Sequence, residues 1–223
     1  MSLITCPGCG LTHTDRGLPV VPNRAATGEC VAEAGAVQAA FYAPDLLAYR
    51  QYVVDAYACL HADPSTRIGV QTTALCLMTM DLYLECGQPV SEGSTMHQEM
   101  MRNHPDIFTP LATPDLDGVL THRHLLAPPH SQHAALAAEW ARSVWDAWSD
   151  HHTQVRAWNH LLVPRRVPDA RCERTPSHAR WTGIHPHRRS GPQRTHQREH
   201  APGSARRPDA RAADGLPPLS VCH

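Results

Sequence analysis

Two cysteines near the start of the chain are its most specific chemical feature. Cys6 and Cys9 are separated by a Pro-Gly pair and followed by another glycine. Thiolates at this spacing can point at one tetrahedral metal ion, while glycines let backbone amides turn towards the sulfurs. Because no second Cys-x-x-Cys pair exists, we predict Cys30 as the third ligand. The fourth is either His61 or a histidine of the last predicted helix.

Zinc is the cofactor that this set of ligands favours, and two alternatives remain open. One is a metal-free thiol turn, and the other is a redox pair. A redox pair of this spacing usually opens a helix beside a strand, whereas a proline-containing coil follows Cys9 here. The sequence therefore favours zinc over redox chemistry.

Adjacent histidines form the second candidate site. His151 falls on the apolar side of a predicted helix, where an uncompensated polar ring is costly, and His152 points about 100 degrees away. Together with His61 and Cys76 they could hold a metal between helices of a bundle. Asp55 could then form a hydrogen bond that orients one of these ligands. The alternative is one hydrogen-bonded core histidine beside one exposed histidine.

Helical periodicity dominates the segments that must position these residues. Apolar residues recur at steps of three and four, and Pro44, Thr66 and Gly87 supply start and stop signals. Helices joined by short connections predict an all-α fold, a small helical bundle behind a Cys-rich N-terminal turn. The predicted helices cover residues 29–42, 45–61, 66–86, 96–102 and 131–161.

A change in composition near Val163 divides the chain. Residues 1–163 hold 8 arginines and 16 acidic residues, whereas residues 164–223 hold 12 arginines, 5 acidic residues and nine of the 20 prolines. We predict a helical domain over 1–163 and a disordered tail over 164–223, since the tail lacks a periodic apolar face. The tail is interpreted either as natural or as a frame-shifted, non-native product of GC-rich DNA.

Composition also limits the expected partners and location. All 20 basic residues are arginine, which is typical of a GC-rich bacterial genome. No signal peptide or membrane span is expected, so we predict a cytoplasmic protein with no membrane partner, in which most cysteines are thiols or metal ligands. Nucleic acid is expected as a partner only if the basic tail is native and binds polyanions by charge.

Several stretches, taken in order, resemble an uncharacterised bacterial family known as a domain of unknown function. The resemblance covers residues 1 to about 160, with one departure: members of that family usually have a histidine where this chain has Cys76. It implies the fold and no activity. The stretches are the Cys-Pro-Gly-Cys-Gly turn, Glu29-Cys30, Val54-Asp55-Ala56-Tyr57-Ala58 ending in His61, residues 71–85, and residues 140–158 with His151-His152.

Two functions agree with these observations. The first is a zinc-stabilised helical domain that acts by binding an unidentified partner or ligand. The second is a metal-dependent enzyme with a His/Cys site inside the bundle, where a three-ligand centre keeps one position open. No phosphate-binding glycine loop or nucleophile elbow is present. The sequence therefore indicates no particular substrate and no particular reaction.

Overall fold

A computed structural model describes residues 2–103 and 106–163. The predicted tail, 164–223, lies outside the described residues. In the described part, a small hairpin precedes a bundle of helices, and this confirms the predicted, mostly all-α fold. The elements are β1 (Leu3–Thr5), β2 (Thr12–Thr14), α1 (Gly28–Ala40), α2 (Arg50–Leu60), α3 (Arg67–Met80), α4 (Gly93–Asn103), α5 (His133–Ala147) and α6 (His152–Leu162).

The N-terminal hairpin was not predicted from the sequence patterns. Strands β1 and β2 pair antiparallel, with Leu3 opposite Thr14 and Thr5 opposite Thr12. Isoleucine and threonine favour strands, but three-residue strands are too short to display an alternating pattern. The two-stranded hairpin brackets the Cys6–Cys9 turn and therefore fixes where both thiols lie.

Two threonines cap the starts of helices, and the sequence predicted the one at Thr66. The Thr27 hydroxyl accepts a hydrogen bond from the backbone N–H of Cys30 at the start of α1, and the Thr66 hydroxyl accepts one from Gly69 at the start of α3. Such caps satisfy backbone donors that have no partner within the helix. The cap at Thr27 matters for the site because it fixes the first turn of α1, which carries Cys30.

Helix α2 lies in the centre of the bundle. It packs against α1, α3 and α5, and every residue from Asp55 to Leu60 is buried. Helix α3 continues after Met80 into a wider π-helical turn, Asp81–Glu85, and Gly87 follows with a positive φ of 69°. The buried sides of α2 and α3 face each other, so polar residues on them must find partners inside the protein.

The long helix predicted over residues 131–161 is interrupted. Helix α5 ends at Ala147, a 3₁₀ turn covers Ser149–His151, and α6 begins at His152. Helix α5 packs against α2, whereas α6 packs against α3 and α4. The three-four apolar spacing nevertheless runs through the break.

Large apolar side chains fill the centre of the bundle. Trp140, Trp145 and Trp148 on or next to α5 are at most 1% exposed, so they act as packing residues. Within residues 2–103 and 106–163, no helix has both the length and the apolar character that crossing a membrane requires. The core also includes several buried polar side chains. Two clusters of side chains in the described residues have the composition and spacing to hold a metal ion.

Candidate metal centre

The hairpin positions the first two thiols. The backbone N–H of Cys6 donates to Leu11 O at 2.8 Å, and that of Gly10 donates to Cys6 O at 3.0 Å. Gly10 adopts a positive φ of 70°, a conformation that costs glycine little and other residues more. This tight turn brings Cys9 back towards Cys6, as knuckles that bind zinc do.

Helix α1 supplies the third thiol from its first turn. Cys30 is fully buried, and the Thr27 cap holds its backbone N–H at 3.2 Å. The N-terminus of a helix carries partial positive charge, which favours a thiolate over a thiol. The thiolate form of Cys30, which is an anion, is therefore suited to bind a cation.

His61 follows the last residue of α2 and supplies an imidazole nitrogen. Its Nδ1 lies 2.7 Å from the backbone carbonyl oxygen of Tyr57. A carbonyl oxygen only accepts, so Nδ1 must carry the proton. The other nitrogen, Nε2, lies 3.3 Å from the sulfur of Cys30. Histidines that bind metals are commonly oriented by such a hydrogen bond from the second ring nitrogen.

The four ligand atoms lie as close together as a zinc ion requires. The sulfurs of Cys6, Cys9 and Cys30 and a ring nitrogen of His61 are all within 4.8 Å of one another. Zinc–sulfur bonds of about 2.3 Å and zinc–nitrogen bonds of about 2.0–2.1 Å imply tetrahedral edges of about 3.8 Å between sulfurs and about 3.5 Å between sulfur and nitrogen. The Cys9–Cys30 sulfur distance is 3.7 Å and the Cys30–His61 distance is 3.3 Å.

Hydrogen bonds within the cluster shift the pKa values of Cys6, Cys30 and His61. Hydrogen bonds with Cys30 and Cys9 lower the pKa of Cys6 far below its usual value, while hydrogen bonds with Cys6 and Cys9 raise the pKa of Cys30. Burial lowers the pKa of His61, but hydrogen bonds to Cys6 and Cys9 outweigh it and raise the pKa to about 9. The cluster thus concentrates negative charge that a cation, whether a proton or a metal ion, stabilises.

Neighbouring side chains support this cluster. The hydroxyl of Tyr57 donates to the sulfur of Cys30 at 3.7 Å, and the Tyr57 ring packs on His61 with centroids 4.1 Å apart. The guanidinium of Arg24 lies over the same tyrosine ring at 5.8 Å. Three thiolates and a neutral imidazole around a divalent ion leave a net charge of about −1, so a nearby arginine is favourable.

Glycine is required at position 8 by close packing. A Cβ atom there would lie 2.5 Å from Ala25 O, 2.8 Å from Leu60 O and 2.7 Å from Cδ2 of His61. Two of these neighbours are backbone atoms, which cannot rotate away. The hairpin turn is therefore pressed directly against the end of α2, and this contact brings the Cys pair to His61.

The seven predicted site residues divide into four that meet at this centre and three that do not. Cys6, Cys9 and Cys30 converge with His61, which is the first of the two options predicted for the fourth position. The remaining three are not brought to this centre. They are Cys76, His151 and His152.

The two adjacent histidines bind backbone oxygens instead of a shared metal centre. Nε2 of His151 lies 2.8 Å from Ala112 O, and Nε2 of His152 lies 2.9 Å from Trp145 O. His152 also stacks on Trp145, with ring centroids 3.7 Å apart. The break between α5 and α6 removes His151 from the buried seam on which the sequence prediction placed it, so the four-residue site with His61 and Cys76 is not formed.

A second cluster in the described residues contains Cys76. Its sulfur, an oxygen of Asp55 and a ring nitrogen of His97 lie within 4.8 Å of one another. His97 was missed by the sequence analysis because a single histidine on a polar helix has no distinctive spacing. The available signal was weak: buried Met96 and Met100 mark the inner side of α4, and His97 is next to it.

Comparison with known protein families identifies the family of this chain. The model of a family described as "Family of unknown function (DUF5946)" matches residues 4–149. The chain belongs to DUF5946. The matched range contains all four members of the Cys6–Cys9–Cys30–His61 cluster and all three of the Asp55–Cys76–His97 cluster. No curated protein and no solved structure matches the chain.

Proposed function

We propose that this DUF5946 chain is a zinc-stabilised helical binding domain. The observation that supports the proposal is the convergence of Cys6, Cys9, Cys30 and His61 from the hairpin, α1 and α2 at distances suited to tetrahedral zinc. Four protein ligands are typical of structural zinc, whereas catalytic zinc keeps one position for water or substrate. The metal would act as a cross-link between three elements distant in sequence.

A polar cleft beside the hairpin supports the binding role. It has a volume of about 540 Å³ and is lined by β2 and α1, with Arg16, Glu29 and Arg123 among its residues. Arg123 donates to Glu33 at 2.7 Å, and this contact lowers the pKa of the Glu33 carboxyl. Because one wall of the cleft is the hairpin, a metal that holds the hairpin also maintains the cleft.

Metal analysis of the full-length protein tests the zinc part of the proposal. Elemental analysis after gel filtration should show that His61→Asn and Cys9→Ser each bind about one zinc ion per chain fewer than the wild type. His122→Asn is a matched control, since His122 is also fully buried and beside Tyr57 but belongs to neither cluster. Unchanged zinc content in Cys9→Ser and His61→Asn would refute the proposed centre.

Ligand-observed NMR tests the binding part. A library of small polar molecules should yield ligands for the zinc-loaded protein whose signals recover their free-state values when zinc is removed by a chelator. Arg123→Gln should weaken the same ligands, because Arg123 lines the cleft. Ligands that bind equally well after zinc removal and to Arg123→Gln would place binding elsewhere.

A further inference from the structure

Asp55, Cys76 and His97 come from three different helices and meet inside the bundle. They lie on α2, α3 and α4 respectively, with ligand atoms within 4.8 Å of one another. The side chain of Asp55 is fully buried and that of His97 is 11% exposed. A carboxylate, a thiol and an imidazole are three of the side-chain groups that bind zinc and related transition metals.

The Asp55 carboxylate is held in a fixed orientation by hydroxyl and amide donors. Oδ2 accepts from Thr79 Oγ1 at 2.7 Å and from Tyr83 OH at 3.2 Å, and Oδ1 accepts from Gln51 Nε2 at 2.7 Å. All of these donors are neutral, and burial raises the pKa of Asp55 above its ordinary value. Metal-binding carboxylates are often oriented by hydrogen bonds of this kind, and a cation would offset the cost of burying the charge.

A cysteine, a histidine and an aspartate could also form a nucleophilic triad, but the contacts differ from one. In a triad the carboxylate orients one ring nitrogen and the nucleophile faces the other. Here Asp55 Oδ1 lies 3.6 Å from Nε2 of His97, which is beyond hydrogen-bond distance, and the hydrogen-bond partner of that nitrogen is Thr79 Oγ1 at 3.1 Å. A hydrogen bond with Cys59, together with burial, raises the pKa of Cys76 well above that of an activated thiol.

We propose that Asp55, Cys76 and His97 form a second metal site, which binds a divalent transition-metal ion of the zinc type through one oxygen, one sulfur and one nitrogen. A carboxylate and a thiolate carry two negative charges, so a divalent ion makes the buried group neutral. Three protein ligands leave the fourth tetrahedral position for water or another small molecule. This site goes beyond the structural centre of the proposed function and differs from it in having an open position.

Gln51 lies between this cluster and a cleft on the surface. Its amide donates to Asp55, its Oε1 accepts from Ser94 Oγ at 3.3 Å, and the side chain lines a cleft of about 440 Å³. A Cβ on Gly93 would lie 2.2 Å from Cγ of Gln51, so glycine at this position allows α4 to approach. The cleft is therefore one side chain away from the carboxylate, and an ion that entered from it would have to pass Gln51.

The two metal sites share α2 without sharing a ligand. Asp55 and His61 are six residues apart, or about 9 Å along the helix axis. The structural site has three sulfurs and the second site has one. This difference in sulfur number lets a spectroscopic probe distinguish them, because thiolate-to-cobalt charge transfer grows with the number of bound sulfurs.

The test uses the full-length chain with zinc and with cobalt alone. The wild type should hold about two zinc ions per chain, and His97→Asn and Asp55→Asn about one each. Asp81→Asn is the matched control, since Asp81 is also buried, at 1% exposure, but contacts Asn159 and Arg156 and belongs to neither cluster. The cobalt spectrum that His97→Asn loses should have weaker near-ultraviolet charge transfer than the spectrum that remains.

Each outcome decides the proposal. Circular dichroism first establishes that a variant is folded, and the milder Cys76→Ser replaces any variant that is not. Zinc content of about one per chain in the wild type, eliminated by Cys9→Ser, would overturn the second site and leave the structural centre intact. Two zinc ions in the wild type and in both His97→Asn and Asp55→Asn would also overturn it. Loss from these variants and not from Asp81→Asn would support it.

Discussion

Replacing Gly8 by alanine tests the contact that joins the hairpin to α2. The added Cβ would lie 2.5–2.8 Å from three atoms, whereas ordinary contacts are at 3.4–4 Å. The hairpin and the end of α2 would have to separate by several tenths of an ångström or more. Overpacking of this kind costs about 1–3 kcal/mol, and a loss of about 2 kcal/mol lowers the melting temperature of a domain of this size by about 4–8 °C.

Zinc affinity should fall in the same variant, because one of the crowded atoms belongs to His61. Displacement of a ligand's surroundings typically reduces metal affinity about 10–100-fold. Thermal unfolding followed by circular dichroism in saturating zinc gives the stability change, and competition with a chromophoric chelator gives the affinity. The melting temperature and the zinc affinity should both fall, because the same contact positions the turn and the imidazole.

Gly35→Ala is the matched control for this experiment. Gly35 lies in α1, is exposed, and has no atom within 4 Å of the position of an added Cβ. Alanine in a helix is favoured over glycine by about 0.5–1 kcal/mol, so this variant should melt about 1–4 °C higher with unchanged zinc affinity. If Gly8→Ala behaved as Gly35→Ala does, the packing of the hairpin against α2 would be refuted.

Three further variants probe the surroundings of the centre. Tyr57→Phe removes the hydroxyl that donates to Cys30 and should weaken zinc binding about tenfold in chelator competition; unchanged affinity would mean that the hydroxyl does not support the sulfur. Thr27→Ala removes the cap of α1 and should cost about 1 kcal/mol in denaturant unfolding, and a cost near zero would contradict the capping contact. Arg123 lowers the pKa of Glu33, so the Glu33 contact stabilises the folded state above about pH 4.5 and is lost as the pH falls through the lowered pKa. The difference in melting temperature between the wild type and Glu33→Gln should therefore shrink below that pH, and a difference that grew on acidification would contradict this reasoning.

Sequence periodicity predicted most of the helices because each buries an apolar stripe at helical spacing. It failed at two places for identifiable reasons. The strands β1 and β2 are too short to show alternation, and pairing across the Cys6–Cys9 turn is a non-local property. The apolar spacing of residues 131–161 continues through the break after Ala147, so only the change of packing partner from α2 to α3 and α4 reveals it.

The candidate site was predictable to the extent that residue type alone suggests a ligand. Cys6 and Cys9 follow from their spacing, but the choice of His61 over a histidine of the last helix depends on the direction of α2 relative to the hairpin. That direction is a tertiary property. His97 carries no local signal beyond the neighbouring Met96 and Met100, and it becomes a candidate only when α4 is packed against Asp55 and Cys76.

The burial of α2 on more than one side explains why both clusters include one of its residues. Tyr57 and His61 are four residues apart and lie on one side of the helix, towards the hairpin and α1, whereas Asp55 is about 200° around the axis from Tyr57 and faces α3 and α4. A helix buried all round must provide internal partners for every polar side chain it carries. In this chain those partners are sulfur, imidazole and hydroxyl groups from the surrounding elements. The same groups that make α2 compatible with the core therefore create two places where a metal ion could replace protons.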